Sequence, residues 1–392
     1  MTRKIAVLTG TRAEYGALYW ILSDLQTAPG CELHLIVTGA HFAAAFGHTV
    51  DLIRQDGFPI AAEVPTLLAD DTQVGVAKAI ALGILGISDA LARLRPDVLL
   101  LIADRSETFA GAAAATTLGI SIAHMSGGEA TEGLFDDQFR HAITKMSHLH
   151  FPSMDFYRDR LIRMGEQPAR VITVGEPGLD HCIRTPLIDS GELARELELD
   201  PSRPFTLISL HPVTLELDRT GDYVDALLAA LDRVPGLQKV FTYPGADPSS
   251  HIIVSKIEAY AGGRSDTRVY RNLGFRRYLS ALRAAALIVG NSSSGILEAA
   301  SFGVPAVNIG TRQRGRIRAR NVIDVGYEAG DIEAGITRAL DPAFRDSLRG
   351  MQNPYGDGHT SARVLSVLAS VDLASLKYKP FYDLPASGEV RV

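Results

Sequence analysis

The chain has 392 residues, 46% of them apolar and 21% charged, and 39 basic against 45 acidic side chains leave a net charge of −6. At roughly 100–200 residues per domain this length predicts two domains, and the apolar content excludes extended disorder. The acidic balance argues against a nucleic-acid binder with a general basic surface, while leaving room for a local basic pocket around a small anion. The two cysteines, Cys31 and Cys182, lack metal-ligand spacing, so neither a disulfide framework nor a cysteine zinc site is expected, and a cytoplasmic setting fits. The first residues read as a strand with no long apolar leader, and no run of 18 apolar residues occurs. Neither a secretory signal nor a membrane span is therefore expected.

In chain order, short apolar runs at 5–8, 33–37, 98–102, 120–123 and 171–174 predict strands, with helix-length segments such as 17–27 and 107–118 between them. Such alternation reads as a parallel sheet covered on both faces. After a proline-rich crossover at 176–204 the pattern restarts, with predicted strands at 205–210, 239–242, 286–289 and 306–309. The expected domains are 1–178 and 179–358, with a C-terminal helix over 359–392 packing back on the first. Ligands of doubly wound sheets sit beyond the carboxyl ends of the strands, so the active site is expected in the cleft of two facing units.

The stretches that carry chemistry follow strands. Gly10-Thr11-Arg12-Ala13-Glu14-Tyr15-Gly16 turns a strand into a helix, offering N–H groups and the Arg12 guanidinium to a phosphate. Asp104 ends one strand, and His124 and Glu129 lie at the end of the next. Asp136, Asp137, Arg140, His141, Lys145, His148 and His150 follow. Asp104, His124 and Glu129 are candidate functional groups, and Asp136 and Asp137 serve as acids or helix caps. His148 and His150, alternating with Leu149 and Phe151, suit a strand. No metal-binding spacing is present. In the second half His211 follows a strand directly. Ser292, Ser293, Ser294 and Gly295 open a helix in a way suited to a diphosphate, with Glu298 placed for a ribose diol. Arg312, Arg314, Arg316, Arg318 and Arg320 make a local anion trap.

Taken together, GTRAEYG (10–16), the Asp-Arg of ADRSE (103–107), HMSGGE (124–129) with DDQFRHAITKMSHLHF (136–151), HPVT (211–214), NSSSGILEA (291–299) and NIGTRQRGR (308–316) resemble the hydrolysing UDP-N-acetylglucosamine 2-epimerases of sialic-acid synthesis. They resemble equally the related enzymes acting on UDP-2,4-diacetamido-2,4,6-trideoxyglucose in legionaminic-acid synthesis. The resemblance runs from residue 3 to about residue 385, including the KPFYDLP tail. It implies a GT-B-like fold of two Rossmann-like domains with a UDP-sugar in the cleft, and a homodimer or homotetramer with no nucleic-acid or membrane partner. By resemblance Arg12 and His211 lie on the phosphate side, and His211 also assists the leaving group. Ser292, Ser293 and Ser294 bind the diphosphate and Glu298 the ribose. Asp104, Glu129 and one of Asp136 or Asp137 are the catalytic carboxylates. One departure is visible: the family's Gly-Asp-Arg reads Ala103-Asp104-Arg105 here.

The implied reaction is physically specific. The sugar C2 proton has no adjacent carbonyl, so it must leave together with UDP through an oxocarbenium-like transition state. Elimination gives a 2-acetamidoglucal. Water then adds at C1 and a proton enters C2 from the opposite face. The scheme asks for a stabilised diphosphate and for carboxylates near the ring, and needs neither metal nor redox cofactor. A glycosyltransferase of the same fold would need an acceptor site and no such group of carboxylates. A non-catalytic sugar-nucleotide sensor could dispense with the acids, all of which are present.

Overall fold

The computed structural model describes residues 2–44, 47–68, 72–130, 136–213, 216–244 and 249–384. Thr214 of the HPVT stretch and the last eight residues of the expected C-terminal helix lie outside them. The chain divides into one unit of residues 1–180 and 358–392 and a second of residues 181–357.

The first unit holds β1 (Arg3–Thr9), β2 (Cys31–Thr38), β3 (Ile60–Val64), β4 (Val98–Ile102), β5 (Ser121–Met125) and β6 (Leu149–Phe151). The helices between them are α1 (Arg12–Thr27), α2 (Val50–Gln55), α3 (Gln73–Leu94), α4 (Ser106–Thr117), α5 (Asp136–Met146) and α6 (Asp155–Arg163). All six strands are parallel, in the order β3-β2-β1-β4-β5-β6. Alternation across β1 explains why its apolar run is continuous. Ile5 and Val7 face a core with Leu18, Leu22 and Leu25 of α1, while Ala6 and Leu8 face a core with Leu91, Ala110 and Ala114 from the other side.

The second unit repeats the design with β7 (Phe205–Ser209), β8 (Gln238–Thr242), β9 (Thr267–Tyr270), β10 (Leu287–Gly290), β11 (Ala306–Ile309) and β12 (Val322–Val325). Its helices are α7 (Asp180–Arg184, which spans the boundary), α8 (Ser190–Glu196), α9 (Thr220–Asp232), α10 (Ser250–Ala261), α11 (Gly274–Ala284), α12 (Glu298–Ser301), α13 (Ala329–Leu340) and α14 (Pro342–Ser347). The order β12-β11-β10-β7-β8-β9, read from β9, is the same Rossmann-type order as in the first unit. The switch points fall between β1 and β4 and between β7 and β10, so the loops after these four strands are where ligands of such sheets bind.

Then the chain returns to the first unit as α15 (Thr360–Ser370) and α16 (Leu373–Leu376). Val364 and Leu368 of α15 are fully buried in the core shared with α1. Instead of one helix over 359–392, the described residues form two helices followed by a stretch without regular secondary structure.

Several elements differ from the sequence reading. Residues 171–174 form no strand; a single parallel bridge joins Val171 to His150. β5 runs on to Met125, so His124 lies inside the strand rather than after it. β3, β9 and β12 escaped notice because these edge strands are short and mix polar with apolar residues. Helix α3 is long and apolar enough to cross a membrane by length and composition. Here it lies along α4, with Gly83, Ile87, Ala90 and Leu91 buried.

Candidate active site

Three residues turn β4 into α4. The first, Ala103, has φ +63°, a left-handed conformation that costs an L-residue about 1–2 kcal/mol. His124 holds it there: its Nε2 lies 2.8 Å from the Ala103 carbonyl, while Ala103 N donates to Met125 O. Ala103 thus takes up a conformation that glycine adopts freely, at the position where the resemblance expects glycine. Ala103→Gly is expected to raise stability by up to about 1 kcal/mol, strain relief outweighing added unfolded-state entropy. Thermal unfolding checks this, and a lowered melting temperature would show that the methyl group's packing matters more.

His124 is therefore a buried residue that supports the Ala103 turn. It is fully buried, and burial lowers its pKa to about 3, leaving the ring neutral. His148 Nδ1 accepts from Ile122 N, and His150 lies buried in β6. His150 is a strand histidine, whereas half-buried His148 stands just before β6.

Asp104 and Glu129, from the ends of adjacent strands, converge on one guanidinium. Arg140 of α5, 5% exposed, pairs with Asp104 through Nη2 and lies 3.4 Å from Glu129 Oε2 through Nη1. Ser153 Oγ donates to the other Glu129 oxygen at 3.0 Å. A second left-handed residue, Ser126 (φ +59°), precedes Glu129, and its carbonyl also accepts from Arg140. Strained backbone at both strand ends thus aims the two acids at one cation.

Asp136 opens α5. Burial raises its carboxyl pKa, and the charge of Asp104 raises it further against Arg105 and Arg140. Asp137 lies 3.6 Å from His141 Nε2. The cluster therefore holds two carboxylates on a guanidinium and one carboxyl that retains its proton more readily, the asymmetry acid–base chemistry requires.

The β1–α1 turn does not offer the backbone donors expected of it. Thr11 and Glu14 form a capping box. Glu14 Oε2 accepts from Gly10 N at 2.7 Å and Thr11 N at 3.1 Å, and Thr11 Oγ1 accepts from Glu14 N. Burial, then Glu107, raises Glu14 to about 7. Arg12 is exposed at the first helical position.

In the second unit β7 and β10 end side by side. At Gly290 (φ +137°) a Cβ would sit 2.0 Å from Ser209 O, so only glycine allows this approach. Just beyond, His211 N donates to Asn291 Oδ1 (2.7 Å) and Asn291 Nδ2 to His211 O (2.8 Å). Arg312 Nη1 and Gln313 Nε2 both donate to Asn291 O. This reciprocal lock brings His211 and Arg312 to the same loop. Burial, then Arg312, lowers His211 to about 4, so its ring is neutral.

Ser293–Gly295 form a 3-10 turn capped by Ser292, not the start of a long helix, and α12 behind it has four residues. A helix dipole consequently contributes less here than the sequence suggested. Half-buried Tyr278 of α11 has its hydroxyl pKa raised by burial first, while Ser294 and Ser292 beside it act to lower it. Glu298 Oε2 is buried with no hydrogen-bond partner, and burial raises the carboxyl pKa. An acceptor left unmade in this way suits a ligand hydroxyl. Within the arginine run Arg318 pairs with Asp324, and Arg312, Arg314 and Arg320 are exposed. Arg312 faces the loop lock, while Arg316 acts on Glu298 through its charge.

Tyr278 was not singled out from the sequence, while Arg140, Asn291 and Gln313 stood in the motif stretches without a role of their own. Strand order gives them their partners. Among the described residues no group of three or more His, Cys, Asp or Glu is placed to hold a metal ion.

Comparison with known proteins agrees with this architecture. The family model described as UDP-N-acetylglucosamine 2-epimerase matches residues 23–369. The chain is 37% identical to the UDP-N,N'-diacetylbacillosamine 2-epimerase (hydrolyzing) of Legionella pneumophila, over 96% of this chain and 98% of that protein. It is 34% identical to the GDP/UDP-N,N'-diacetylbacillosamine 2-epimerase (hydrolyzing) of Campylobacter jejuni, over 97% and 99%. It is 32% identical to polysialic acid biosynthesis protein P7 of Escherichia coli, over 98% of each. The crystal structure of UDP-GlcNAc 2-epimerase from Neisseria meningitidis bound to UDP-GlcNAc matches with TM-score 0.80 at 18% identity, over 93% of this chain and 99% of that one. At that identity the likeness shows the fold, two Rossmann-like domains of the GT-B-like type. With a family model spanning most of its length and close relatives covered end to end, this chain belongs to the UDP-N-acetylglucosamine 2-epimerase family, as an enzyme of the hydrolysing UDP-sugar 2-epimerase type.

Proposed function

We propose that this enzyme eliminates UDP from a UDP-2-acetamido sugar and hydrates the resulting glucal to the free manno sugar. The observation that carries this reading is the convergence of Asp104 and Glu129 on buried Arg140, with Asp136 left outside the pair. Asp104 and Glu129 are the anionic groups, one to take the C2 proton and both to stabilise positive charge on the ring. Asp136 is the acid that returns a proton to C2. His211, Arg312, Arg12 and the serines Ser292, Ser293 and Ser294 stabilise the departing diphosphate. The unpartnered oxygen of Glu298 accepts from the ribose hydroxyls.

The Legionella and Campylobacter relatives favour the 2,4-diacetamido-2,4,6-trideoxy sugar as substrate, a place in nonulosonic-acid synthesis of the legionaminic type. UDP-N-acetylglucosamine, with N-acetylmannosamine as product, is the second reading, favoured by the polysialic-acid relative. Proton NMR in D2O with each UDP-sugar tests both. Free C2-deuterated manno product and UDP are expected, with faster turnover of the diacetamido sugar. Faster turnover of UDP-N-acetylglucosamine would reverse the substrate order. If both sugars persist while UDP binds, the catalytic reading falls and a glycosyltransferase lacking its acceptor takes its place.

The binding half has its own test. Losing a hydrogen bond to a charged group costs about 1.5–3 kcal/mol. Ser293→Ala combined with Arg12→Ala is therefore expected to weaken UDP binding by about a hundredfold or more. Calorimetric titration measures it, and unchanged affinity would refute the diphosphate assignment.

A further inference from the structure

Away from these groups, Glu166 follows the turn after α6. It is 1% exposed, and three side chains surround it. Lys145 Nζ lies 2.6 Å from Oε1; Lys379 Nζ and His150 Nε2 lie 2.8 and 2.9 Å from Oε2. Burial alone would raise its carboxyl pKa, but His150 and the two lysines outweigh it and hold it at about 2. A buried charge of this kind is not needed merely to fill space, where apolar side chains serve as well or better.

Lys379 comes from the KPFYDLP tail, more than 200 residues farther along the chain. Besides Glu166 its Nζ donates to the carbonyls of Thr144 and Lys145, each at 2.9 Å. These are among the last four carbonyls of α5, which lack intrahelical partners. The tail is fastened at two further points. Tyr382 N donates to Gly165 O at 2.9 Å. The Phe381 ring covers Gly165, where a Cβ would come within 2.4 Å of it, and Lys145 Nζ sits 4.7 Å from its centroid. The C-terminal tail thus ties the last turn of α5 to Glu166 and its turn.

Helix α5 needs such a tie. Its buried residues are Arg140, Ile143 and Thr144, so Ile143 is the one fully buried apolar anchor. Its first turn carries Asp136 and Asp137, and Arg140 lies one turn on. A helix of 11 residues is a rod of about 16 Å, so what fixes its last turn fixes the placement of its first.

We infer that Lys379 is a positioning residue: by binding Glu166 and the C-terminal carbonyls of α5 together, it sets where that helix holds Asp136 and Arg140. The inference rests on the reading of those groups as working residues, and its test separates the two. In the full chain, Lys379→Met is expected to lower kcat on the order of tenfold, with KM and UDP affinity within about twofold. Lys379→Arg is expected to recover most of the loss. Backbone hydrogen exchange is expected to quicken over 136–146 and not in β1 or β4. If Lys379→Met does not fold, Glu166→Gln, which keeps shape and loses charge, is expected to show the same split. Unchanged kcat in a folded variant would overturn the inference. So would KM and UDP affinity failing in step with kcat, or unaltered protection of α5. If the wild-type enzyme turns over neither sugar, the proposed function fails on its own, and exchange over 136–146 in Lys379→Met decides the inference.

Discussion

Asp104→Asn or Glu129→Gln is expected to cut turnover by about 10²–10⁴-fold, the usual contribution of a positioned acid or base, while UDP affinity changes little. Each amide keeps the shape of the carboxyl and removes its charge, so the loss falls on proton transfer and on stabilisation of the oxocarbenium-like transition state. The residues proposed for UDP binding, His211, Ser292, Ser293, Ser294, Glu298 and Arg312, are left unchanged by these substitutions. Arg140→Met must behave differently. It leaves the Asp104 and Glu129 carboxylates without their shared counter-ion, and removing one partner of a buried pair costs about 3–5 kcal/mol of stability. Single-turnover kinetics beside thermal unfolding separate the outcomes. The acid variants should fail in chemistry and lose less stability than Arg140→Met, because Arg140 keeps its other carboxylate, and Arg140→Met should fail in both. Full activity in Asp104→Asn or Glu129→Gln would remove that residue from the mechanism.

Stability is expected to fall as pH drops from about 6.5 to 5. His41 and His124 are fully buried, and burial lowers them to about 4 and about 3. The unfolded chain, with histidines near 6.5, binds protons that the folded state excludes over this interval. Folding therefore weakens with acid by about 1.4 kcal/mol per pH unit for each such group. His148 and His211, each lowered to about 4 by burial first, act in the same direction. Glu14 opposes them. Its folded carboxyl is raised to about 7, so it gains stability as pH falls from about 7 towards 4.5 and offsets roughly one histidine. Glu166, held at about 2, loses its contribution only below the ordinary carboxylate range. The net expectation is a loss of a few kcal/mol between pH 6.5 and 5. Urea unfolding at fixed pH steps measures it, and a flat or rising profile over that interval would show that these rings are protonated in the folded protein.

The strand-ending motifs were legible because chemistry at the carboxyl ends of a parallel sheet leaves a local mark: an apolar run, then a charged or hydroxylic residue. Asp104, Glu129, His211 and the Ser292–Ser294 run could all be read in that way. What lay inside a strand could not. His124 looks like a strand-end residue until β5 is seen to continue one residue past it, which buries the ring and turns it to the Ala103 carbonyl. The capping box at Thr11 and Glu14 was written in the sequence as Thr-x-x-Glu, yet its consequence, that Gly10 N and Thr11 N are already taken, follows only from where the Glu14 carboxylate sits.

By itself, then, the sequence determined the class of fold, two runs of alternating strands and helices, and the residue types that reach the ends of the strands. Periodicity and turn chemistry act over a few residues, and these features need nothing longer. Tertiary structure alone decided which of those residues meet. Strand order places β4 beside β5, so Asp104 and Glu129 share Arg140. It places β7 beside β10, so His211 locks to Asn291 across 80 residues of sequence. It also seats Lys379 of the tail on Glu166 and α5. Pairings at such separations are set by burial and hydrogen bonding among elements distant in the chain, and no local pattern encodes them.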